Sequence, residues 1–356
     1  MKLRRWSLLI LSGVAVAAFG QGDVGSSLPF TLTWTEGRCV RCETASELGR
    51  IQFVSRREAW AVGLVYGEQG AGDFIVVHTK DAGRTWRELP QTNQYAGDSD
   101  GPPAFSFLDP EHGWIAWSPS VEAELVRTQD AGLHWRHVSP PKYSQQSFQR
   151  IQFFDENDAY GTEVTTFFRT HNGGHTWTQT QIPHLRFIDR LLFPTPETGW
   201  IAGTDGQDFY VFRTTNGGCD WQESRTTPPR APDSVRDLFF LGQDRGWLIT
   251  WHHNDEGTYL FSTIDGGRSW TPEYDLSFQG KGKWASVVRF VSEKKGFVFV
   301  REDDGDKLVY TTDGGAHWLS QALPRSVYDC QLFEGDLLCS AGNSPSGFWL
   351  LTLHPR

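Results

Sequence analysis

The chain has 356 residues, 33 basic against 43 acidic side chains, and a formal net charge of -10. A surface with that acidic balance excludes a nucleic-acid binder, whose footprint is basic. Aromatic residues make up 14% of the chain, with 16 tryptophans, and no stretch carries the period of a long amphipathic helix, so an all-β architecture is expected.

Taken from its start, the chain opens on basic Met1-Lys-Leu-Arg-Arg5, an apolar run from Ser7 to Phe19, and small residues around Ala15 to Gly20. This is the pattern of a secretory signal peptide, with cleavage expected near Gly20 and Ala17 as the other candidate. The apolar run is short for a membrane span. The expected organisation is a signal peptide over residues 1–20, a short linker over 21–28 and a single domain over 29–356, placed outside the cytoplasm (periplasmic or secreted).

Two short patterns then alternate along the domain. The first sets an aromatic residue seven positions after a phenylalanine: Phe53 and Trp60, Phe107 and Trp114, Phe153 and Tyr160, Phe193 and Trp200, Phe240 and Trp247, Phe290 and Phe297. Polar turn residues lie between, as in Leu108-Asp-Pro-Glu-His-Gly113, so each pair predicts a hairpin. The second is Thr-x-Asp/Asn-x-Gly-x-x-Trp, first seen as Thr79-Lys-Asp81-Ala-Gly83-Arg-Thr-Trp86 and present six times. Its third residue is Asp81, Asp130, Asn172, Asn216, Asp265 or Asp313. An Asp or Asn side chain accepts hydrogen bonds from turn amides, and the glycine supplies positive φ. Each copy follows a run such as Phe74-Ile-Val-Val-His78 and precedes a large ring, so it predicts a second hairpin. Two hairpins give four antiparallel strands, the content of one propeller blade.

Six such units run from about Arg50 to Pro324. A seventh begins at Val327, turns at Glu334-Gly335, has its third strand at Phe348 to Thr352, and then the chain stops at Arg356 without a fourth strand. The missing strand is expected at Phe30 to Glu36, which carries Trp34. The expected fold is therefore a seven-bladed β-propeller closed by an N-terminal strand that completes the last blade and covers its open edge.

The second pattern resembles the Asp-box (BNR) repeat family of β-propellers, in which the box joins the two outer strands of a blade and is structural. That resemblance implies structural roles for Asp81, Asp130, Asn172, Asn216, Asp265 and Asp313. The seven-unit ring, from about Phe30 to Leu351, is similar to the photosystem II stability/assembly factor group within that family. The resemblance implies a noncatalytic scaffold that binds a protein partner and assists assembly or stability of a membrane complex. The alternative is a carbohydrate-active enzyme or glycan-binding protein of the sialidase-like members. The chain lacks the Phe/Tyr-Arg-Ile-Pro tetrapeptide of sialidases, since Arg50-Ile51 and Arg150-Ile151 are followed by glutamine. Asp205, Asp208, Asp255 and Glu256 are the carboxylates available to that alternative, which needs two flanking the scissile bond.

Function is expected on the face opposite the boxes. Arg50, Arg150 and Arg190 each stand three residues before the repeat phenylalanine, with Arg236 near the corresponding position of blade 5. A ring brings them to one mouth of its axis, where a cationic cluster suits the carboxylates of a partner or ligand; the competing expectation is pairing with acids such as Asp189 or Asp237. Trp251, His252 and His253 form an aromatic and polar loop on the same face. Adjacent histidines on a strand point opposite ways, so no metal or other cofactor is expected. Tyr95, Tyr143, Lys281, Lys283 and Trp284 are further surface candidates for protein contact, and Arg301 to Asp306 reads as a solvated hairpin turn. Among five cysteines, Cys330 and Cys339 face each other across the last hairpin as a candidate disulfide, Cys39 and Cys42 are candidates for a local bridge or a tie to another loop, and Cys219 is left unpaired. A monomer is expected.

Overall fold

The computed structural model describes residues 28–40, 47–66, 72–89, 103–117, 124–138, 148–252, 257–273, 283–303, 305–344 and 347–356. Their regular secondary structure is β-strand throughout. Five four-stranded antiparallel sheets and one eight-stranded sheet hold every strand. The four-stranded sheets are blades 2 to 6, over residues 104–138, 150–181, 187–226, 234–272 and 283–322. The eight-stranded sheet is blade 1 (residues 47–88) joined to blade 7, whose three C-terminal strands are completed by Phe30–Val40. The protein is a seven-bladed propeller.

The N-terminal strand closes the ring beside the last strand, as expected. Thr35 pairs with Leu350 and Trp34 with Leu351 in an antiparallel ladder from Phe30–Pro355 to Arg38–Gly347. A main-chain bond from Arg356 N to Pro29 O, at 2.7 Å, ends the ladder. The first strand runs further than the sequence indicates. Beyond Glu36 it crosses to blade 1 and pairs in parallel with the outer strand there, Arg38 opposite Thr85 and Val40 opposite Arg87. Gly37 marks the crossing, because a Cβ at that position would lie 2.5 Å from the Gly83 carbonyl oxygen and 2.7 Å from the Trp86 ring.

Apolar clusters fill the interfaces between adjacent blades, and the two repeat aromatics explain how. Four of the repeat phenylalanines stack on the corresponding ring of the preceding blade, and Phe193 lies tilted over Tyr160 at 4.3 Å. Phe107 lies 4.1 Å from Trp60, Phe153 3.8 Å from Trp114, Phe240 3.9 Å from Trp200 and Phe290 3.5 Å from Trp247, all nearly coplanar. The residue opposite the phenylalanine within its own hairpin must then be small. It is glycine at positions 113, 246 and 296 and alanine at 59 and 159. A Cβ at Gly296 would meet the Phe290 ring at 2.3 Å. A glutamine on the inner strand, Gln52 before Phe53 and Gln331 before Leu332, clamps the next blade. Gln52 exchanges two hydrogen bonds with the Phe107 main chain, at 2.8 and 2.9 Å, and Gln331 does the same to Phe53, at 2.8 and 3.0 Å. The clamp between blades 7 and 1 thus repeats the one between blades 1 and 2.

The box turns and the inner-hairpin turns share one face, and they are bonded to each other. Ala82 N donates to Arg57 O, Gly173 N to Asn157 O and Gly266 N to Asp244 O, each at 2.8 to 2.9 Å. The last hairpin turns at Glu334 and Gly335, both at positive φ, and places Cys330 opposite Cys339 in a disulfide. Cys219 is a free, exposed thiol. Cys42 and the side chain of Cys39 lie outside the described residues.

Candidate functional site at the axial mouth

The inner strands set the site. Their alternating residues, such as Ile51 and Phe53, are buried between blades, which leaves Gln52 and Arg50 on the other side of the strand. Among the described residues, five of the seven inner strands carry a register shift near their start, at Leu48/Arg50, Ile188/Arg190, Val235/Asp237, Ala285/Val287 and Val327/Asp329. A bulge bends its strand and re-aims the extra side chain. The extra residues of blades 5, 6 and 7 are Arg236, Ser286 and Tyr328, and all three line one cavity of about 470 Å³. Arg190, Trp251, Trp284, Arg301 and Lys307 complete its polar and aromatic wall.

Arg50, Arg150, Arg190 and Arg236 converge as the sequence indicates. Burial depresses the Arg150 pKa well below the ordinary arginine range, and repulsion from Arg50 and Arg190 adds to it; Asp329 and Asp189 oppose the shift. Arg50 is lowered by burial within the ring and by Arg190, against Asp329, although its surface remains open to the channel. Arg236 is lowered by burial and by Arg190, against Asp189. Mutually repelling, partly desolvated cations favour any anion that arrives between them.

The expected pairing of these arginines with Asp189 or Asp237 takes a different form. Arg150 and Arg190 both donate to the main-chain carbonyl of Asp189, at 2.6 and 2.7 Å. The Asp189 carboxylate turns away to accept Val235 N at 2.8 Å. Burial pushes its pKa up to about 6 in spite of that bond and the nearby Arg190, Arg150 and Arg236. Asp237 is taken by Arg289 at 2.5 Å. Arg289, which sequence reasoning missed, also donates to Cys330 O at 2.7 Å and reaches Asp329 at 3.4 Å, locking blades 5, 6 and 7 together at the axis. Its only signal was a position directly before Phe290.

Trp251 lies on the cavity wall, with the Arg236 guanidinium 4.8 Å above its ring. His252 is not on the exposed loop where the sequence placed it. It is 1% exposed; Nδ1 donates to Ala231 O at 2.9 Å, and Nε2 lies 3.0 Å from the Thr250 hydroxyl. The strand continues through this polar stretch, so alternation sends Trp251 out and His252 in. His253, Asp255 and Glu256 lie outside the described residues, as do Tyr95, Tyr143 and Lys281. Glu302 in the 301–306 turn pairs with Lys307 and stands 3.9 Å from Lys283. Among the described residues, no group of three His, Cys, Asp or Glu side chains is arranged to hold a metal ion.

The box side chains are consumed by their own turns. Asp265 Oδ1 accepts the Thr263 hydroxyl at 2.7 Å and Ser269 N at 3.0 Å, and Oδ2 accepts the Ser269 hydroxyl at 2.6 Å. Asn216 repeats the arrangement with Thr214 and Asp220 N, both at 3.0 Å. Asp81, Asp130, Asn172 and Asp313 follow the same scheme. Trp34, on the closing strand, is partly buried against the blade 6 and 7 cluster.

No family model matches the chain. The photosystem II stability/assembly factor HCF136, chloroplastic, of Arabidopsis thaliana is 23% identical over 277 residues, 71% of this chain and 61% of its own length. The photosystem II assembly protein Ycf48 of Synechococcus sp. (strain JA-2-3B'a(2-13)) is 23% identical over 172 residues, 48% of each chain. The matches therefore span less than two thirds of either relative. Among solved structures, Ycf48 bound to a D1 peptide superposes with a TM-score of 0.65 at 17% identity, over 92% of this chain and 96% of that one. Ycf48 from Cyanidioschyzon merolae gives 0.66 at 16%, over 91% and 99%. The Niastella koreensis GH74 enzyme gives 0.59 at 14%, over 86% and 52%. What these structures share with the chain is the propeller fold.

Proposed function

We propose that this protein is a noncatalytic, extracytoplasmic propeller scaffold that binds a protein partner at the arginine mouth and assists assembly or stability of a membrane complex, in the manner of a photosystem II assembly factor. The observation that carries this reading is the convergence of Arg50, Arg150 and Arg190, whose mutual repulsion is relieved by partner carboxylates. The similarity to two assembly factors supports the biological setting, and the solved Ycf48 complex supports a peptide or protein as ligand. We read residues 1–20 as a cleaved signal peptide, the Thr-x-Asp/Asn-x-Gly-x-x-Trp turns as structural Asp-boxes, and the chain as a monomer. Engagement of the box carboxylates by their turns supports a noncatalytic role. Asp205 accepts Gln207 N, Asp208 N and the Tyr210 hydroxyl, and Asp208 is buried against Arg225 at 2.5 Å, so neither is free for glycosidic chemistry.

The test is a crosslinking pull-down from periplasmic and membrane fractions, comparing the wild type with the Arg50→Glu/Arg150→Glu/Arg190→Glu variant. Loss of a specific partner with the fold intact supports the mouth; unchanged capture removes it. A glycan-binding or glycoside-cleaving reading draws on the cavity faced by Trp251, Trp284 and Tyr328. Turnover of aryl-glycosides by the purified protein, above that of an Asp205→Ala/Glu256→Ala variant, would favour it.

A further inference from the structure

A second cavity, of about 480 Å³, opens at the outer rim between blades 1 and 2, on the face of the box turns. The internal repeat explains why it is there. In blades 2, 3 and 4 the residue before the box threonine is an arginine: Arg127, Arg169 and Arg213. Each lies over an aromatic ring of its own blade, 5.9 Å from Trp114, 5.6 Å from Tyr160 and 5.9 Å from Trp200. Each also reaches the next blade. Arg127 pairs with Glu156 at 3.2 Å, Arg169 donates to Gly217 O at 2.9 Å, and Arg213 packs so close to Gly266 that a Cβ there would come within 2.7 Å of its Nη1. In blade 1 the equivalent residue is His78. Its shorter side chain stacks flat on Trp60 at 3.8 Å, and the space that an arginine fills in blades 2 to 4 stays open; blades 5 and 6 carry Ser262 and Tyr310 at this position.

The lining of that space has a definite chemistry. Trp86, Leu89 and Leu133 form its apolar wall, with Leu133 60% exposed, and Lys80 and Arg87 stand at its edge. His78 is 7% exposed and its Nε2 has no hydrogen-bond partner. The Glu58 carboxylate is 3.3 Å from that nitrogen but not aligned with it. Burial, and secondarily Lys80, lowers the His78 pKa to about 4, so the ring is neutral at pH 7. The carboxylates of the two adjoining boxes, Asp81 and Asp130, are occupied by their own turns. On a chain of net charge -10, this rim is locally basic and apolar.

We propose that the rim groove between blades 1 and 2 is a second docking site, separate from the axial mouth, for an extended acidic segment of a partner protein. An aliphatic side chain of that segment seats against Trp86, Leu89 and Leu133, and a neighbouring carboxylate meets the exposed Lys80 and Arg87. Charge complementarity selects an acidic segment over a basic one, and the cavity has the size of a ligand pocket.

The probe is a hexapeptide of alternating glutamate and leucine, blocked at both ends so that it brings no terminal carboxylate, with a lysine–leucine counterpart as comparison. Calorimetry on the whole protein measures binding, and the imidazole resonances of His78 report its site. The expected result is binding of the glutamate peptide with a shift at His78. Affinity falls about tenfold or more in His78→Arg, which fills the gap as blades 2 to 4 do, and in Lys80→Glu/Arg87→Glu, with thermal midpoints maintained. The charge-reversal variant decides the matter should His78→Arg fold poorly. Absence of binding, equal binding of the lysine peptide, or affinity unchanged by the Lys80/Arg87 reversal overturns the proposal. Binding abolished by the Arg50/Arg150/Arg190 reversal, with the rim variants unaffected, reassigns the peptide to the axial mouth and also overturns it.

Discussion

Phe290, from the inner strand of blade 6, lies face to face with Trp247 of blade 5, ring centroids 3.5 Å apart and planes within 7°. The repeat spacing that places these residues is therefore a device for joining neighbouring blades. Truncating Phe290 or Trp247 to alanine is expected to destabilise the protein by about 3–5 kcal/mol. A double-mutant cycle in urea unfolding should return a coupling of about 0.5–1.5 kcal/mol. Additive effects would show that the rings fill space independently.

Gly37→Ala should weaken ring closure. Its Cβ would press on the Gly83 carbonyl, which is main chain and cannot rotate aside, at a cost of about 1–3 kcal/mol. Gly342→Ala is the matched control, since its nearest new neighbour lies at 3.9 Å, and its unfolding midpoint should barely move.

Asp265 gives a pH dependence with a definite sign. Burial opposes its ionisation, but hydrogen bonds from Ser269 and Thr263 outweigh this and hold its pKa at about 2, below the ordinary 3.8. The native state thus favours the carboxylate. The associated stability is present above about pH 4 and is lost as pH falls through 2. In Asp265→Asn, which mimics the boxes at Asn172 and Asn216, thermal midpoints should depend less steeply on pH between 4 and 2.

Asp189 titrates in the opposite sense. With its pKa raised to about 6 by burial, it becomes neutral as pH falls below 6, and the mouth gains positive charge. Binding of a carboxylate-bearing peptide at the mouth should tighten between pH 7 and 5. Asp189→Asn, which retains an acceptor for Val235 N, should bind at neutral pH as the wild type does in acid, with a flattened profile.

Reducing the disulfide between Cys330 and Cys339 should lower stability by about 2–3 kcal/mol, as expected for a short closed loop. Cys330→Ser/Cys339→Ser should match the reduced wild type in chemical unfolding, and Cys219→Ser should leave the oxidised protein unchanged.

Much of this architecture was legible because it is written in local spacing. The Thr79 to Trp86 box, the Glu334-Gly335 turn and the orphan strand at Trp34 each announce themselves within a few residues, and blade count and closure follow from tallying them. The arginine mouth was legible because Arg50, Arg150 and Arg190 recur at one repeat position. The remainder depends on contacts between distant segments. Bulges that turn Arg236 and Tyr328 into one cavity leave no mark in hydrophobic pattern. Arg289 is a lock because Asp237 and Asp329 happen to flank it in three dimensions. His252 looked like surface because its neighbours are polar, yet the Ala231 carbonyl was waiting for it inside.

The ladder between Phe30 and Pro355 also sets an order of events. The first described strand has its hydrogen-bonding partner in the last described one, so it must wait until the residues between them have emerged. Assembly of the six intervening blades can precede it, but the final cooperative step joins residues more than three hundred positions apart, a contact of the kind that slows folding. A circularly permuted chain, opened between two interior blades and linked across Arg356 and Pro29, would turn that late long-range step into an early local one while leaving the native ring intact.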